Sequence, residues 1–253
     1  MAIPSTALLP ADHFIKTHQF TPTVHRDIYL SIDPLSTPLS QRGKTVIITG
    51  ASQGIGKAIA LAFAKAGVAK IILAARNVEK LEETKREVLS FNGDVEVLVF
   101  PTDTTSQESV EKLEHKAKAW CGVPDVLVNA AGLWSSTTSL SESNPEEWWA
   151  DFEVNVKGTY LLTRSFLRLL GPSHPGTIIN VGSFGMLMTA PNGSSYCISK
   201  LALARLSEAI PSEYPNVRSM SFHPGMIKTD MADAHPEVLP FCGDTCMSIV
   251  LLP

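Results

Sequence analysis

Five β-rich residues, Thr45-Val46-Ile47-Ile48-Thr49, run directly into Gly50-Ala51-Ser52-Gln53-Gly54-Ile55-Gly56, and a helical segment from Lys57 to about Ala66 follows. A buried-type strand that enters a glycine-rich turn and leaves it as a helix restricts the fold severely. Glycine turns tightly and lets backbone N–H groups approach an anion with no Cβ in the way. The helix start adds unpaired N–H groups and the positive end of its dipole. The Gly-x3-Gly-x-Gly spacing therefore reads as a pyrophosphate cradle, to which Ser52 adds a hydroxyl. A plain glycine-rich turn would share the composition, but the position after the first strand favours the phosphate reading.

The alternation continues down the chain. Ala69 to Ala74, Val95 to Phe100, Asp125 to Asn129, Gly176 to Val181 and Val217 to Phe222 are further short apolar runs. Asn77 to about Phe91, Ser106 to Trp120, Pro145 to Leu170 and Ser195 to Tyr214 read as the helices between them. Apolar strands alternating with helices predict a parallel sheet covered on both faces. Right-handed crossovers make it an α/β, doubly wound, three-layer sheet of the Rossmann kind. Residues 43–253 supply this domain, and a chain of 253 residues can bury the core it needs. Residues 1–42 stand apart: prolines at 4, 10, 22, 34 and 38 make an irregular arm, which Phe14, Phe20, Ile28 and Tyr29 could pin to the domain.

Charge and cysteine content exclude several classes. A net charge of -4 gives no reason to expect nucleic acid or an acidic membrane surface. No run of 18 apolar residues predicts a membrane span. Met1 to Pro10 lacks the basic start of a signal peptide. Four scattered cysteines fit a reducing, cytoplasmic setting better than a disulfide framework. Cys242 and Cys246 have no His or Cys cluster beside them, so no metal is expected.

Two further places carry chemistry. Tyr196 and Lys200 are four residues apart at the start of a helix, hence on one face. An ammonium beside a phenol favours the phenolate, so the pair suits general acid/base work near neutral pH. The second strand ends Leu73-Ala74-Ala75-Arg76, without the acid that binds the ribose hydroxyls of NAD. Arg76 instead offers a planar, permanently charged fork suited to the extra phosphate of NADP. NADP(H) is therefore favoured, with NAD(H) the alternative.

With these pieces placed, the chain from about Lys44 to Asp230 resembles the short-chain dehydrogenase/reductase family, of the shorter type. The motifs that carry the resemblance stand in register: Thr49-Gly50-x3-Gly54-x-Gly56, Asn129-Ala130-Ala131-Gly132, Asn155, Ser183, Tyr196-x3-Lys200, and Pro224-Gly225 followed by Thr229. The resemblance implies hydride transfer between a nicotinamide and a carbonyl or secondary alcohol. It implies that Tyr196 handles the proton, that Lys200 lowers the Tyr196 pKa and binds ribose, and that Ser183 holds the substrate oxygen. Asn155 would hold a water linking Lys200 to solvent. The cofactor would lie along Gly50, Ser52, Gln53, Gly54, Ile55 and Gly56. Asp103 would contact the adenine, and Ala130 and Gly132 would border the cofactor's path. Asn129 would tie strands together. Pro224, Gly225, Ile227 and Thr229 would line the nicotinamide end. A homodimer or homotetramer is also implied.

Substrate is read from Trp134, Phe184, Met186, Leu187 and Met188, which predict a pocket for a bulky apolar molecule. His223 is expected to be structural, and Trp148-Trp149 to serve core or interface. Residues 230–253 are shorter than the family's usual continuation, though Ser248 to Leu252 could be a strand. That shortening sets a second expectation beside the enzyme: a cofactor-binding relic or interaction protein without turnover.

Overall fold

The computed structural model describes residues 10, 16, 22, 23, 25, 27–235 and 238–243. Its strands are β1 (Thr45–Thr49), β2 (Lys70–Ala75), β3 (Glu96–Pro101), β4 (Val126–Asn129), β5 (Gly176–Val181) and β6 (Val217–Phe222). They form one sheet in the order β3-β2-β1-β4-β5-β6, and every pairing is parallel. The chain winds outward from β1 to β3, returns to β4 beside β1, and winds outward again. This is the doubly wound order, and its switch point lies between β1 and β4.

Successive strand residues face opposite sides. Val46, Ile48, Ile71, Leu73 and Val128 build one core with Ile59 and Phe63 of α1 (Gly54–Lys65) and Leu81 and Val88 of α2 (Val78–Phe91). Ile47, Ile72, Leu127 and Ile178 build the other with Val110 and Leu113 of α3 (Gln107–Cys121). Two covered faces explain why β1 is buried at all five positions and shows no polar alternation.

The expected helix over 145–170 is divided. α4 (Pro145–Phe152) passes into a π-helical turn (Glu153–Gly158) before α5 (Thr159–Leu170). Asn144 caps α4, accepting from the backbone of Glu146 and Glu147. A π turn adds a residue to the hydrogen-bonded register and re-aims the side chains within it, and Asn155 sits in this one. Gly158 closes the turn where a Cβ would come within 2.9 Å of Thr104 Oγ1. The last long helix is α6 (Ser194–Glu213), followed after β6 by the short α7 (Asp230–Asp233).

Leu39 fastens the arm, buried in the first core. Ile28 borders a groove with Lys65 and Phe91, and Tyr29 stacks on His25. Phe14, Phe20, Cys246 and the expected strand at 248–252 lie outside the described residues.

Candidate active site

The glycine turn closes on itself and on the end of β4. Gly50 has φ +63°, and a Cβ there would lie 2.7 Å from Ala131 N and 2.8 Å from the Ala130 carbonyl. At Gly56 a Cβ would lie 2.3 Å from Gly50 O. A Cβ on Gly54, at φ +54°, would lie 3.4 Å from the Thr229 side chain. Thr49 Oγ1 accepts from Ala130 N and Ala131 N at 3.2 and 3.4 Å, locking the turn to the next strand end. No side chain caps α1, whose preceding residue is Gln53. Instead Gln53 Oε1 accepts from Lys80 Nζ at 2.6 Å. An uncapped helix start behind a glycine turn that excludes side chains fits a pyrophosphate. Ser52 and Ile55 are half-buried on the same turn.

Asn129 serves as the expected tie. Its Nδ2 donates to Asn180 Oδ1 at 2.8 Å, and Asn180 Nδ2 donates to Ser207 Oγ at 2.8 Å, joining β4, β5 and α6. At the outer end, Arg76 and Asp103 are both exposed. The Asp103 carboxyl is held below its ordinary value by the Thr105 hydroxyl and N–H, with the Arg76 and Lys157 charges adding. Arg76 thus stands near a fixed carboxylate at the end of β2.

Ser183 follows β5 and begins a short 3-10 turn, Phe184–Met186. Its Oγ accepts from Gly185 N at 3.2 Å, and its hydroxyl pulls the Tyr196 phenol toward lower values. Tyr196 lies in the first turn of α6, and Lys200 is one turn on. Lys200 Nζ donates to Val181 O at 2.9 Å and lies 5.6 Å from the centre of the Tyr196 ring. Sequence, sheet and helix thus bring Ser183, Tyr196 and Lys200 to one point at the carboxyl end of β5.

The electrostatics depart from expectation. Burial pushes the Tyr196 phenol up to about 12, against the pull of Ser183. The residue as a whole is half-buried, yet its phenol end is enclosed, so desolvation acts on the titrating atom. Burial also pushes Lys200 down to about 8, with the Asp151 carboxylate acting the other way. Lys200 Nζ donates to Val181 O rather than to the phenol, and in this dry site the cost of burying each charge outweighs what lowers the phenol.

Asn155 is fully buried, and its amide is committed. Nδ2 donates to Leu133 O at 2.8 Å and to Ser199 Oγ at 2.9 Å, while Oδ1 accepts from Leu133 N at 2.9 Å. The side chain clamps the loop after β4 to α6, and its amide nitrogen has no capacity left for the expected water. A Cβ on Gly132 would sit 3.5 Å from both Asn155 Oδ1 and Lys200 Nζ.

Beyond β6, Gly225 turns the chain at φ +91° after Pro224. Ile227 is buried, and Thr229 caps α7, accepting from Ala232 N at 3.2 Å. His223 Nδ1 accepts from Phe184 N at 3.1 Å, a brace for the Ser183 loop. Of the expected pocket residues, Met186 turns toward β6, where its sulfur meets Ser221 Oγ at 3.3 Å, and Leu187 is exposed. Trp149 is exposed as well, with its ring against Trp148 and Phe152.

Two features had no place in the sequence reading. Trp134 stacks on Tyr196, with centroids 4.9 Å apart, and His235 also stacks on Trp134, at 3.8 Å. His235 is buried, and its Nε2 lies 3.2 Å from Trp134 O. The second is Asp151, wholly buried behind this stack. Its sequence surroundings did not signal that burial, because the π turn holding Asn155 breaks the four-residue spacing of an α-helix.

Comparison with known proteins agrees with this geometry. The model of the family described as short chain dehydrogenase matches residues 44–238. The short chain dehydrogenase tazN of Aspergillus terreus is 39% identical over 228 residues, covering 88% of this chain and 49% of that one. The NADP-dependent 3-hydroxy acid dehydrogenase of Schizosaccharomyces pombe is 35% identical over 205 residues, covering 80% and 76%. Among solved structures, an alcohol dehydrogenase from Thermococcus sibiricus complexed with 5-hydroxy-NADP is similar, with TM-score 0.68 and 35% identity, covering 73% and 77%. The chain belongs to the short-chain dehydrogenase family. It is an oxidoreductase with a nucleotide-binding Rossmann fold. The chain spans about half the length of the first of these relatives. Among the described residues no helix is long and apolar enough to cross a membrane.

Proposed function

We propose that this chain is an NADP(H)-dependent oxidoreductase that interconverts a bulky apolar carbonyl compound and its secondary alcohol. The observation that carries this reading is the convergence of Ser183, Tyr196 and Lys200 at the carboxyl end of β5, with Lys200 Nζ 5.6 Å from the centre of the Tyr196 ring. When bound, a nicotinamide dinucleotide supplies or accepts the hydride. Gly50, Gly54, Gly56 and the start of α1 would hold its pyrophosphate, and Arg76 an additional ribose phosphate. The NADP-dependent relative from Schizosaccharomyces pombe and the Thermococcus sibiricus enzyme complexed with 5-hydroxy-NADP support NADP.

In the reductive direction Ser183 holds the substrate oxygen while Tyr196 gives it a proton. The carbonyl carbon gains the hydride, and the resulting phenolate regains its proton from solvent. Lys200, fixed on Val181 O, supplies positive charge beside that phenolate. Trp134, flat against Tyr196, favours broad apolar substrates over small polar ones. The presence of all four catalytic residue types supports turnover over the non-catalytic alternative. Exposed Tyr160, Ile198 and Leu201 on α5 and α6 support self-association of the chain. The test is NADPH consumption with a panel of ketones and aldehydes. Activity should be greatest with aromatic or alicyclic ketones, and preference for small sugars would contradict the substrate class.

A further inference from the structure

Asp151 joins the two segments that carry the stacked rings. Its Oδ1 accepts from Ser135 N at 2.8 Å and lies 2.9 Å from Ser135 Oγ, whose one proton it shares with Glu147 O at 2.6 Å. Its Oδ2 accepts from Ser195 Oγ at 2.5 Å. Ser135 follows Trp134 and Ser195 precedes Tyr196 in the chain, so one carboxylate, wholly buried in α4, holds both neighbours. A buried carboxylate is costly unless hydrogen-bonded, and the Ser135 N–H and the Ser195 hydroxyl meet that cost here, with the Ser135 hydroxyl shared. An amide could accept some of the same bonds without the charge, so the geometry alone leaves the charge to be accounted for.

We propose that Asp151 is a positioning residue for this reaction, a buried carboxylate that fixes the Trp134–Tyr196 stack and biases the site toward proton delivery to a carbonyl. This rests on Tyr196 being the proton donor. The groups that act on the phenol are Lys200 and Cys197 from its own helix, Ser183 from the turn after β5 and Asp151 from α4, with Trp134 stacked on the ring. Cys197, and after it Asp151, disfavour a phenolate, and Asp151 favours a protonated Lys200. A negative neighbour thus keeps the proton on Tyr196 until an oxygen that is gaining charge draws it away.

The test is a pH-jump titration of tyrosinate absorbance, with the Tyr196→Phe signal subtracted, in the full chain. Asp151→Asn should shift the Tyr196 midpoint downward, because it removes a negative charge that opposes the phenolate. Ser195→Ala keeps the charge and should leave the midpoint in place while lowering thermal stability. Asp151→Ser is a second neutral variant and should move the midpoint the same way. An unmoved midpoint in folded neutral variants overturns the proposal. So does an equal shift in Ser195→Ala, or failure of both neutral variants to fold. If Tyr196→Phe turned over ketones at the wild-type rate, the proton-donor reading would fail, whereas the titration shift would still be read.

Discussion

The Trp134 and Tyr196 rings lie nearly parallel, 17° apart, with centroids separated by 4.9 Å. Stacking of this kind is worth about 0.5–1.5 kcal/mol beyond the area buried. It fixes the plane of the phenol and lays an apolar ring against it. Trp134→Ala should raise KM for aromatic ketones about threefold to tenfold. NADPH affinity should change little, because Trp134 lies away from the glycine turn. Steady-state kinetics with a direct cofactor-binding measurement checks both.

Gly56 tests the phosphate cradle. A methyl group there meets Gly50 O at 2.3 Å, a contact that backbone must move to relieve. Gly56→Ala should therefore abolish detectable NADPH binding by fluorescence titration and lower the melting temperature by several degrees, since strain of about 1–3 kcal/mol is typical of such overpacking.

Arg76 tests cofactor choice. A charged hydrogen bond to phosphate contributes about 1.5–3 kcal/mol. Arg76→Ala should weaken NADPH about tenfold to a hundredfold and leave NADH nearly unchanged. Isothermal titration with both cofactors measures the difference, and equal losses for the two would remove Arg76 from phosphate recognition.

Lys200 gives a pH dependence of stability with a definite sign. Its folded value, about 8, lies below the ordinary 10.5. Between these values the unfolded chain binds the extra proton, so stability rises as pH climbs through the window. Below it, the charged lysine costs about 3 kcal/mol in the fold. Tyr196 acts oppositely: its value of about 12 exceeds 10.0, so its contribution is present below pH 10 and lost above. Lys200→Met should raise the melting temperature at neutral pH and remove the rise in stability between about pH 8 and pH 10. Melting curves across that range decide it.

The sheet was legible because its strands are buried on both faces and read as plain apolar runs between helices. Tyr196, Ser183 and Lys200 were legible through their order along the chain. The π turn around Asn155 was not, because apolar spacing does not encode the local hydrogen-bond register. Nor was the direction of the Tyr196 shift. Four residues of spacing place Lys200 near the phenol but say nothing of Val181 O, which takes the ammonium. Asp151 was hidden because a carboxylate amid Trp148, Trp149 and Glu153 reads as solvent-facing. Only folding brings Ser135 and Ser195 to it from distant parts of the chain.

Tyr196→Phe tests the central claim most directly, by removing one hydroxyl and keeping the ring that stacks on Trp134. The variant should bind NADPH as the unaltered chain does and lose ketone-dependent NADPH consumption by at least about a hundredfold, the usual scale of general acid catalysis. Undiminished consumption by a variant that binds NADPH normally would contradict the account.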